Sequence, residues 1–519
     1  GIFCANFKAI IDVVKQYCGM SLLSFNETEQ SIYSVDSLSL PPSLVPLFVA
    51  SPVTIGSAVA PNDIDAEPLK GFSYGRYVIA YPVNGVITYC IADGQGKIVK
   101  PFSPANGLMG WTGGSYGKSP RITASTDGGF YLLGYKDAYT DPVSNVTGNW
   151  LVAQKYNNYG ALDKELCFGK GHIGAYTSGK ISRLMSLTFS GNEYLVGCYI
   201  LTRAADSIQT LRYWIYDTVS GASIDGELFA GDTAADTVTD FKFSANATNA
   251  QVCFTAAFSA GSFRSISVDL ATGATSNASR YTATGTTATH GAMRICATLY
   301  GGWLVSFVLS QSNHAYYLLG SNGAQLGTIS GASSAGGITQ LGEFICGSNG
   351  YIGVPMTYVS GGQYFPGFHV VNAQASAVSF VNRWDASVTT NIYGNSYYEL
   401  SAFASKPASP PVTWSSSGDW DSGVTSFTGY VAYDAVAGYN GDANTTDGRY
   451  LKVTFSLAVG YATVSTVTTA PARIAGSMGH AKPVQKSDGT WSGKFLSIYQ
   501  VYSDYTLKTP CIKAGYLPN

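Results

Sequence analysis

The carboxylates of Asp419-Trp420-Asp421 are the most chemically suggestive local grouping in this 519-residue chain. Glycoside hydrolysis needs two carboxyl groups roughly 5–10 Å apart, one to protonate the leaving oxygen and one to serve as base or nucleophile. The indole between them offers a face on which a sugar ring stacks. Asp65, Glu67 and Asp442 are further acids that such chemistry can draw on. The plainer reading, an exposed polar loop, outweighs the catalytic one. No catalytic residue is assigned, and the chain is expected to be non-enzymatic, with a polysaccharide-degrading enzyme as a second alternative.

Signatures of other chemistries are weak. The five histidines (His172, His290, His314, His369 and His480) show no His-x-x-x-His spacing, and no Cys-x-x-Cys occurs. No metal centre and no cofactor are therefore expected. The run NGDANTTDG at 440–448 only loosely follows the oxygen-ligand order of a calcium loop, so Ca²⁺ is the single ion considered. Gly-Gln-Gly at 94–96 and Gly-Lys-Gly at 169–171 open no helix with phosphate-loop spacing. Surface recognition remains. Trp111, Tyr116, Tyr139, Trp414 and Trp420, with Asp419 and Asp421, lie in Ser-, Gly- and Asn-rich stretches of paratope-like chemistry. Tyr and Trp bring contact area at low entropic cost, and their small polar neighbours bring adaptable hydrogen bonds. A glycan or protein partner is the expectation.

The elements that must hold such loops are strands. Charged residues make up 12% of the chain, about half the usual share, while Gly (59) and Tyr (36) are over-represented. Glycine serves tight turns, and tyrosine and threonine suit half-buried pleated surfaces. A net charge of −2 without a basic stripe argues against a nucleic-acid partner. No apolar run is long enough to span a membrane as a helix. Of nine cysteines, Cys90, Cys198, Cys253, Cys296 and Cys346 each sit in a strand-like apolar run. That odd, dispersed set reads as buried thiols in a reducing compartment rather than a disulfide framework.

Three regions follow. Residues 1–20 carry Phe3, Phe7, Ile10, Ile11 and Val14 on one face of a short amphipathic helix, read as an assembly anchor. Lys8, Asp12 and Lys15 make this stretch a poor signal peptide. Residues 21–69 are proline-rich and read as an extended connector. From 70 to 519 a β-rich motif recurs: GRYVIAY, GGFYLLGY, NEYLVGCYI, AQVCFTAAF, GGWLVSFVL, NGYIGVPM and NSYYELSAF. Their starts lie roughly 45–65 residues apart, as in propeller blades. Each is followed by an alternating strand, an Asx-Gly or Ser-Gly turn and a short strand, which is hairpin chemistry. The fold expected is all-β: a β-propeller of about seven blades, six or eight also fitting, behind the N-terminal helix. An atypical or inserted blade is placed around 396–470, and the C-terminal strands are expected to close the ring against residues 70–80. Tandem β-sandwiches remain the alternative.

The stretches PRITASTDGGFYLLGYKD and NWLVAQKYNNYGALDKELCFG resemble propeller-type repeats of bacterial adhesin-like surface proteins. That resemblance implies a strand, a polar-Gly-Gly turn, an aromatic strand and a strand ending in Asx-x-x-Gly. Ser125, Asp127 and Gly129 are similar to the opening of a sialidase turn, although Leu132 replaces its aromatic and no other blade repeats it. Arg121, Arg183, Arg264 and Arg294 are the residue type that the arginine triad of such enzymes uses on a carboxylate. The layout as a whole, a short N-terminal anchor ahead of a displayed β module, resembles phage virion proteins such as tail fibres and nozzle-like or decoration components. It implies a virion-surface location, other virion proteins as partners through the N-terminal segment, host attachment, and a homo-oligomer. A bacterial surface or secreted adhesin is the alternative.

Overall fold

The structure is a computed structural model. It describes residues 23–26, 31–34, 53–54, 65–70, 76–93, 98–110 and 121–169. It further describes 183–385, apart from 204, 247–248, 277–278, 283–292, 311–312, 331–336, 342–343, 347–349 and 361–362. Beyond these it describes the strands Ser426–Val436, Thr446–Ser456, Tyr461–Val467, Arg473–Ile474, His480–Gln485, Trp491–Tyr502 and Pro510–Leu517. The anchor residues Phe3, Phe7, Ile10, Ile11 and Val14 lie outside the described residues.

The described strands fall into eight consecutive antiparallel meanders. Blade 1 holds Asp65–Pro68, Tyr77–Val83, Val86–Ala92 and Ile98–Met109. Blade 2 holds Arg121–Ala124, Phe130–Thr140, Thr147–Tyr156 and Leu162–Phe168. Blade 3 holds Arg183–Phe189, Asn192–Thr202, Gln209–Asp217 and Ser223–Ala230, and blade 4 holds Val238–Asn246, Gln251–Phe258, Ser262–Asp269 and Ser279–Thr282. Blade 5 comprises Met293–Ala297, Trp303–Ser310, Asn313–Leu319 and Gln325–Ser330. In blade 6, Gly337–Leu341 and Ile345–Cys346 share one edge of Tyr351–Ser360, followed by Gln363–Ala373 and Val378–Asp385. Blade 7 pairs Ser426–Val436 with Thr446–Ser456, whose other edge takes Tyr461–Val467 and Arg473–Ile474. Blade 8 is His480–Gln485, Trp491–Tyr502 and Pro510–Leu517, completed by Val53–Thr54.

Six of the recurrent runs of the sequence, from GRYVIAY to NGYIGVPM, supply second strands of these meanders, and NSYYELSAF lies outside the described residues. Their alternation puts one set of side chains against the preceding blade and the other against the following one. Phe130 and Leu132 join the core between blades 1 and 2, whereas Tyr131 and Leu133 join the core between blades 2 and 3. Val252 and Phe254 face blade 3, whereas Cys253 and Ala257 face blade 5. Blades 2 and 4 are thus single layers covered on both faces by their neighbours. A sandwich would bury one face of each sheet and wet the other. Burial on both sides is why the strands lack a clean polar alternation. Cys90, Cys198, Cys253 and Cys296 serve as small core residues, all buried and none in a disulfide.

First strands of neighbouring blades touch (blades 1–2, 2–3, 4–5 and 8–1), which makes them the innermost strands of a ring. Closure comes from the chain preceding blade 1: Val53 pairs with Ile512 and Thr54 with Cys511. The pairing expected at residues 70–80 does not form, because Tyr77–Val83 is already the second strand of blade 1. Closing the ring leaves no long open edge. The segment 21–69 accordingly contributes two blade strands and a separate hairpin, Leu23–Asn26 with Ser31–Ser34. Of the eight meanders two draw strands from 426–517, one in the region where an atypical or inserted blade is expected and one in the final stretch.

Chain direction defines two faces. First-to-second and third-to-fourth turns lie on one, the turn face. Second-to-third turns and the connections between blades lie on the other, the loop face. Third-to-fourth turns repeat one design. The side-chain oxygens of Asn157, Asp217, Asp269 and Asn322 each accept backbone N–H groups two to four residues on, for example Tyr159 N at 3.0 Å and Val219 N at 2.9 Å. Each turn ends on a glycine at positive φ: Gly160, Gly221, Gly273 and Gly323. Asn157–Gly160 has the Asx-x-x-Gly spacing, Asp217–Gly221 and Asp269–Gly273 carry one residue more, and Asn322 and Gly323 are adjacent.

Candidate functional site

Tyr139 is the one residue of the sequence-derived binding set that lies among the described residues. It occupies the second strand of blade 2 and donates its hydroxyl to Glu165 Oε2 at 2.8 Å. Glu165 Oε1 accepts from Lys136 Nζ (2.7 Å), Gln154 Nε2 (2.8 Å) and Asn106 Nδ2 of blade 1 (3.0 Å). The Lys136 ammonium also stands 4.4 Å from the Tyr139 ring centroid. Burial pushes the Glu165 carboxyl up, but the Lys136, Tyr139 and Gln154 bonds outweigh it and hold its pKa below the ordinary value. Burial, then the same carboxylate, pushes the Tyr139 hydroxyl up to about 12. A carboxylate with four donors is an anionic hub that ties two blades. Its low pKa is the opposite of what a general acid needs. Cys167 lies nearby, its thiol pushed up to about 12 by burial and Asp141.

The Ser125–Gly129 turn has an equally structural role. Ser125 N donates to Gly129 O and Gly128 N to Ser125 O, closing a five-residue hairpin loop. Thr298–Gly302 in blade 5 repeats those two bonds, so the polar-Gly-Gly turn is a property of the repeat. Asp127 caps Gly129 N at 2.9 Å and pairs with Lys155. The outer side of the turn is gripped by Glu193 of blade 3, which accepts from Ser125 Oγ (2.9 Å), Thr126 N (2.8 Å) and Ser186 Oγ (2.5 Å). Its sequence context, NEYLVGCYI, marks a strand and gives no hint that the glutamate reaches a neighbouring blade.

The arginines noted in the sequence separate into two groups. Arg264 lies on the third strand of blade 4 and ties the connection from blade 3, bonding Asp232 (2.9 Å), Asp236 (3.5 Å) and Ala230 O. Arg121, Arg183 and Arg294 occupy matching positions on first strands, and Lys242 joins them. Two bonds fix the stagger between neighbouring first strands: Ser186 N to Thr123 Oγ1 and Ala297 N to Ser244 Oγ, both 3.0 Å. Counting back two residues from each acceptor gives Arg121 and Lys242. Counting back three from each donor gives Arg183 and Arg294. Lys242 and Arg294 fall on the strand face toward the following blade. Ile122, Phe241, Phe243, Met293 and Ile295 point to the preceding one, while Phe189 joins the core toward blade 4.

Lys242 and Arg294 are both buried in the first strands of blades 4 and 5. Asp240 Oδ1 accepts from Lys242 Nζ at 2.6 Å and from Phe241 N at 2.9 Å, with both charged groups buried. Arg294 is buried and donates Nη1 to Met293 O at 2.8 Å. Arg121, Arg183, Lys242 and Arg294 thus share one register position on successive first strands. The sequence shows this only once the blades are in register: RITA, RLMS, KFSA and RICA share a cation, an apolar residue, a variable residue and a small one.

Trp111, Tyr116, Trp414, Asp419, Trp420 and Asp421 lie outside the described residues, as does most of the candidate calcium run at 440–448. Among the described residues, no group of three or more His, Cys, Asp or Glu side chains is arranged to hold a metal ion. No helix among them is long and apolar enough to cross a membrane.

No protein-family model and no curated protein matches the chain. Solved structures do show likenesses. The WD40 domain of SCAP from fission yeast is 10% identical, covering 91% of this chain and 98% of that one at a TM-score of 0.42. The Nup133 β-propeller domain of Vanderwaltozyma polyspora is 9% identical, covering 75% and 91% at a TM-score of 0.38. The Pseudomonas aeruginosa periplasmic gluconolactonase PpgL is 11% identical, covering 79% and 97% at 0.35. This chain is a β-propeller by its own strand order and closure. The activities of those proteins differ from one another, and none is carried over.

Proposed function

We propose that this propeller is a non-enzymatic structural and attachment protein displayed on a virion surface, in the manner of a tail-fibre, nozzle-like or decoration component. The supporting observation is the use made of its reactive groups. Glu165, Glu193 and Asp240, the carboxylates best placed between blades, are occupied by donors from the frame itself. The frame spends its sparse charge on holding blades together, and recognition falls to loops between strands. Other virion proteins are met through residues 1–20, a host surface through the loop face, and the assembly is a homo-oligomer. Removing residues 1–20 leaves a folded ring that no longer enters its particle; undiminished incorporation overturns the anchor.

A second reading is a bacterial surface adhesin or glycan-binding protein. A glycan array with a turnover assay separates the readings. Binding without product supports attachment, and product release from a defined polysaccharide rejects the non-enzymatic reading.

A further inference from the structure

His369 is fully buried in the joint between blades 5 and 6. It lies on the third strand of blade 6, opposite Val354 on the second. Val354 and Val371, on the same face, join Leu304, Tyr316 and Leu318 of blade 5 in one core. Strand alternation therefore turns the imidazole toward blade 5. There its Nδ1 lies 3.3 Å from the Tyr316 hydroxyl oxygen. Phe380, on the fourth strand of blade 6, packs edge-on against the imidazole with ring centroids 5.2 Å apart.

The charged and titratable residues at this face come from both blades. Arg294, Ser306 and Tyr316 stand in one register row across the first three strands of blade 5, and all three are buried. Burial pushes the Tyr316 hydroxyl well above its ordinary value, so it stays neutral. His314 precedes Tyr316 by two residues on the same strand. In blade 6, Arg383 is the register partner of His369, and Asp385 that of Gly367. Cys296, Cys346 and Tyr358 hold the other titratable positions on this face; such groups are ordinarily uncharged below about pH 8. The row of Tyr316 thus carries one cation and the row of His369 another, and the acid stands a step further along its strand.

We propose that His369 makes the joint between blades 5 and 6 an acid-sensitive latch, shut while the imidazole is neutral and opened by the proton it takes up below about pH 6.5. Two effects act together. A neutral imidazole accepts the Tyr316 proton at Nδ1, whereas an imidazolium has only donors and loses that bond. The added charge also enters a low-dielectric space beside Arg294, while in the opened joint water solvates it. The opened joint therefore binds the proton more readily, and stability present above the ordinary histidine value is lost as pH falls through and below it. The latch rests on the frame alone and is independent of the attachment reading.

Hydrogen–deuterium exchange of the full-length protein at pH 7.5 and 5.5, corrected for the intrinsic rate at each pH, tests it. Carboxylates of ordinary pKa stay ionised across that window. Protection of Asn313–Leu319 and Gln363–Ala373 is expected to fall at least about fivefold more than that of Asn192–Thr202 in blade 3. His369→Asn keeps an acceptor near the Nδ1 position and takes no proton; it should shrink the difference below about twofold, which assigns it to His369 rather than His314. Equal loss in both regions, firmer protection of the joint in acid, or an undiminished difference in the variant overturns the proposal. The wild-type comparison needs no variant, so a lack of selective loss there overturns it even where asparagine is not tolerated.

Discussion

An apolar core fills both the junction of blades 1 and 2 and that of blades 4 and 5, but the first adds charged side chains and shared backbone across it, whereas the second adds mainly neutral hydrogen bonds. At the first junction the fourth strand of blade 1 runs past its own meander. Its last residue, Met109, pairs with Tyr135 of blade 2, beyond the edge occupied by Arg121–Ala124. Asn106 from that strand reaches Glu165, and Arg76, Tyr89 and Lys100 donate to the carbonyls of Asn158 and Gly160 in the blade 2 turn. At the second junction Trp303, Val305, Phe307, Phe263 and Met293 fill the space between blades. Polar contacts there include Ser244 with Ala297 N, Thr255 with Met293 Sδ, and the Asn246 and Asn249 amides with carbonyls of the Thr298–Gly302 turn. One ring therefore uses two kinds of joint. A chain with so few charges concentrates them where backbone pairing already positions them.

The largest expected effect falls on the apolar joint. Trp303→Ala empties a fully buried site and should cost about 3–5 kcal/mol, measured by denaturant unfolding, with little dependence on salt. A loss near zero would mean that the blade 4–5 core does not carry this joint. Next is Gly134→Ala at the charged joint. A Cβ there meets the Met109 carbonyl oxygen, Leu108 at 2.7 Å and Ile87 at 2.9 Å, so a loss of about 1–3 kcal/mol is expected. Tolerance of the alanine would separate the two blades that the shared strand joins.

Glu165→Gln should cost about 1–3 kcal/mol at neutral pH, because Lys136 keeps its buried place without its carboxylate. The pH dependence has a definite sign. The Glu165 pKa is lowered by folding, so its contribution is complete above the ordinary carboxylate value and is lost as pH falls through and below it. The gap between wild type and variant should therefore close on acidification; a gap that widens in acid contradicts the assignment. Ser244→Ala at the neutral joint should be the smallest change, about 1 kcal/mol, and flat from pH 4 to 8. A steep pH profile for that variant would erase the distinction between the joints.

Much of this frame was legible in the residues. Alternating apolar runs and Asx-Gly turns mark second, third and fourth strands because local chemistry shapes a hairpin. First strands such as RITA and MRICA are short and follow long connections, so nothing local announces them. The closing strand is two residues, Val53–Thr54, inside a proline-rich stretch that reads as connector. Its pairing with Cys511 and Ile512 is a contact across almost the whole chain, invisible to any window of sequence. The site follows the same division. Tyr139 was singled out by its type for partner binding, whereas its hydroxyl bonds Glu165, and the arginines were noted without their blade positions. Glu165, Glu193 and Lys242 were missed, because their significance depends on which blade stands beside them.

The central claim is a single ring of eight blades closed by the chain that precedes blade 1. A side-chain-resolution cryo-electron microscopy map of the purified protein tests it most directly. The account predicts eight meanders around one axis, with Val53 and Thr54 hydrogen-bonded to Ile512 and Cys511. A seven-bladed ring, a pair of β-sandwiches, or a C-terminal strand paired anywhere else would contradict it.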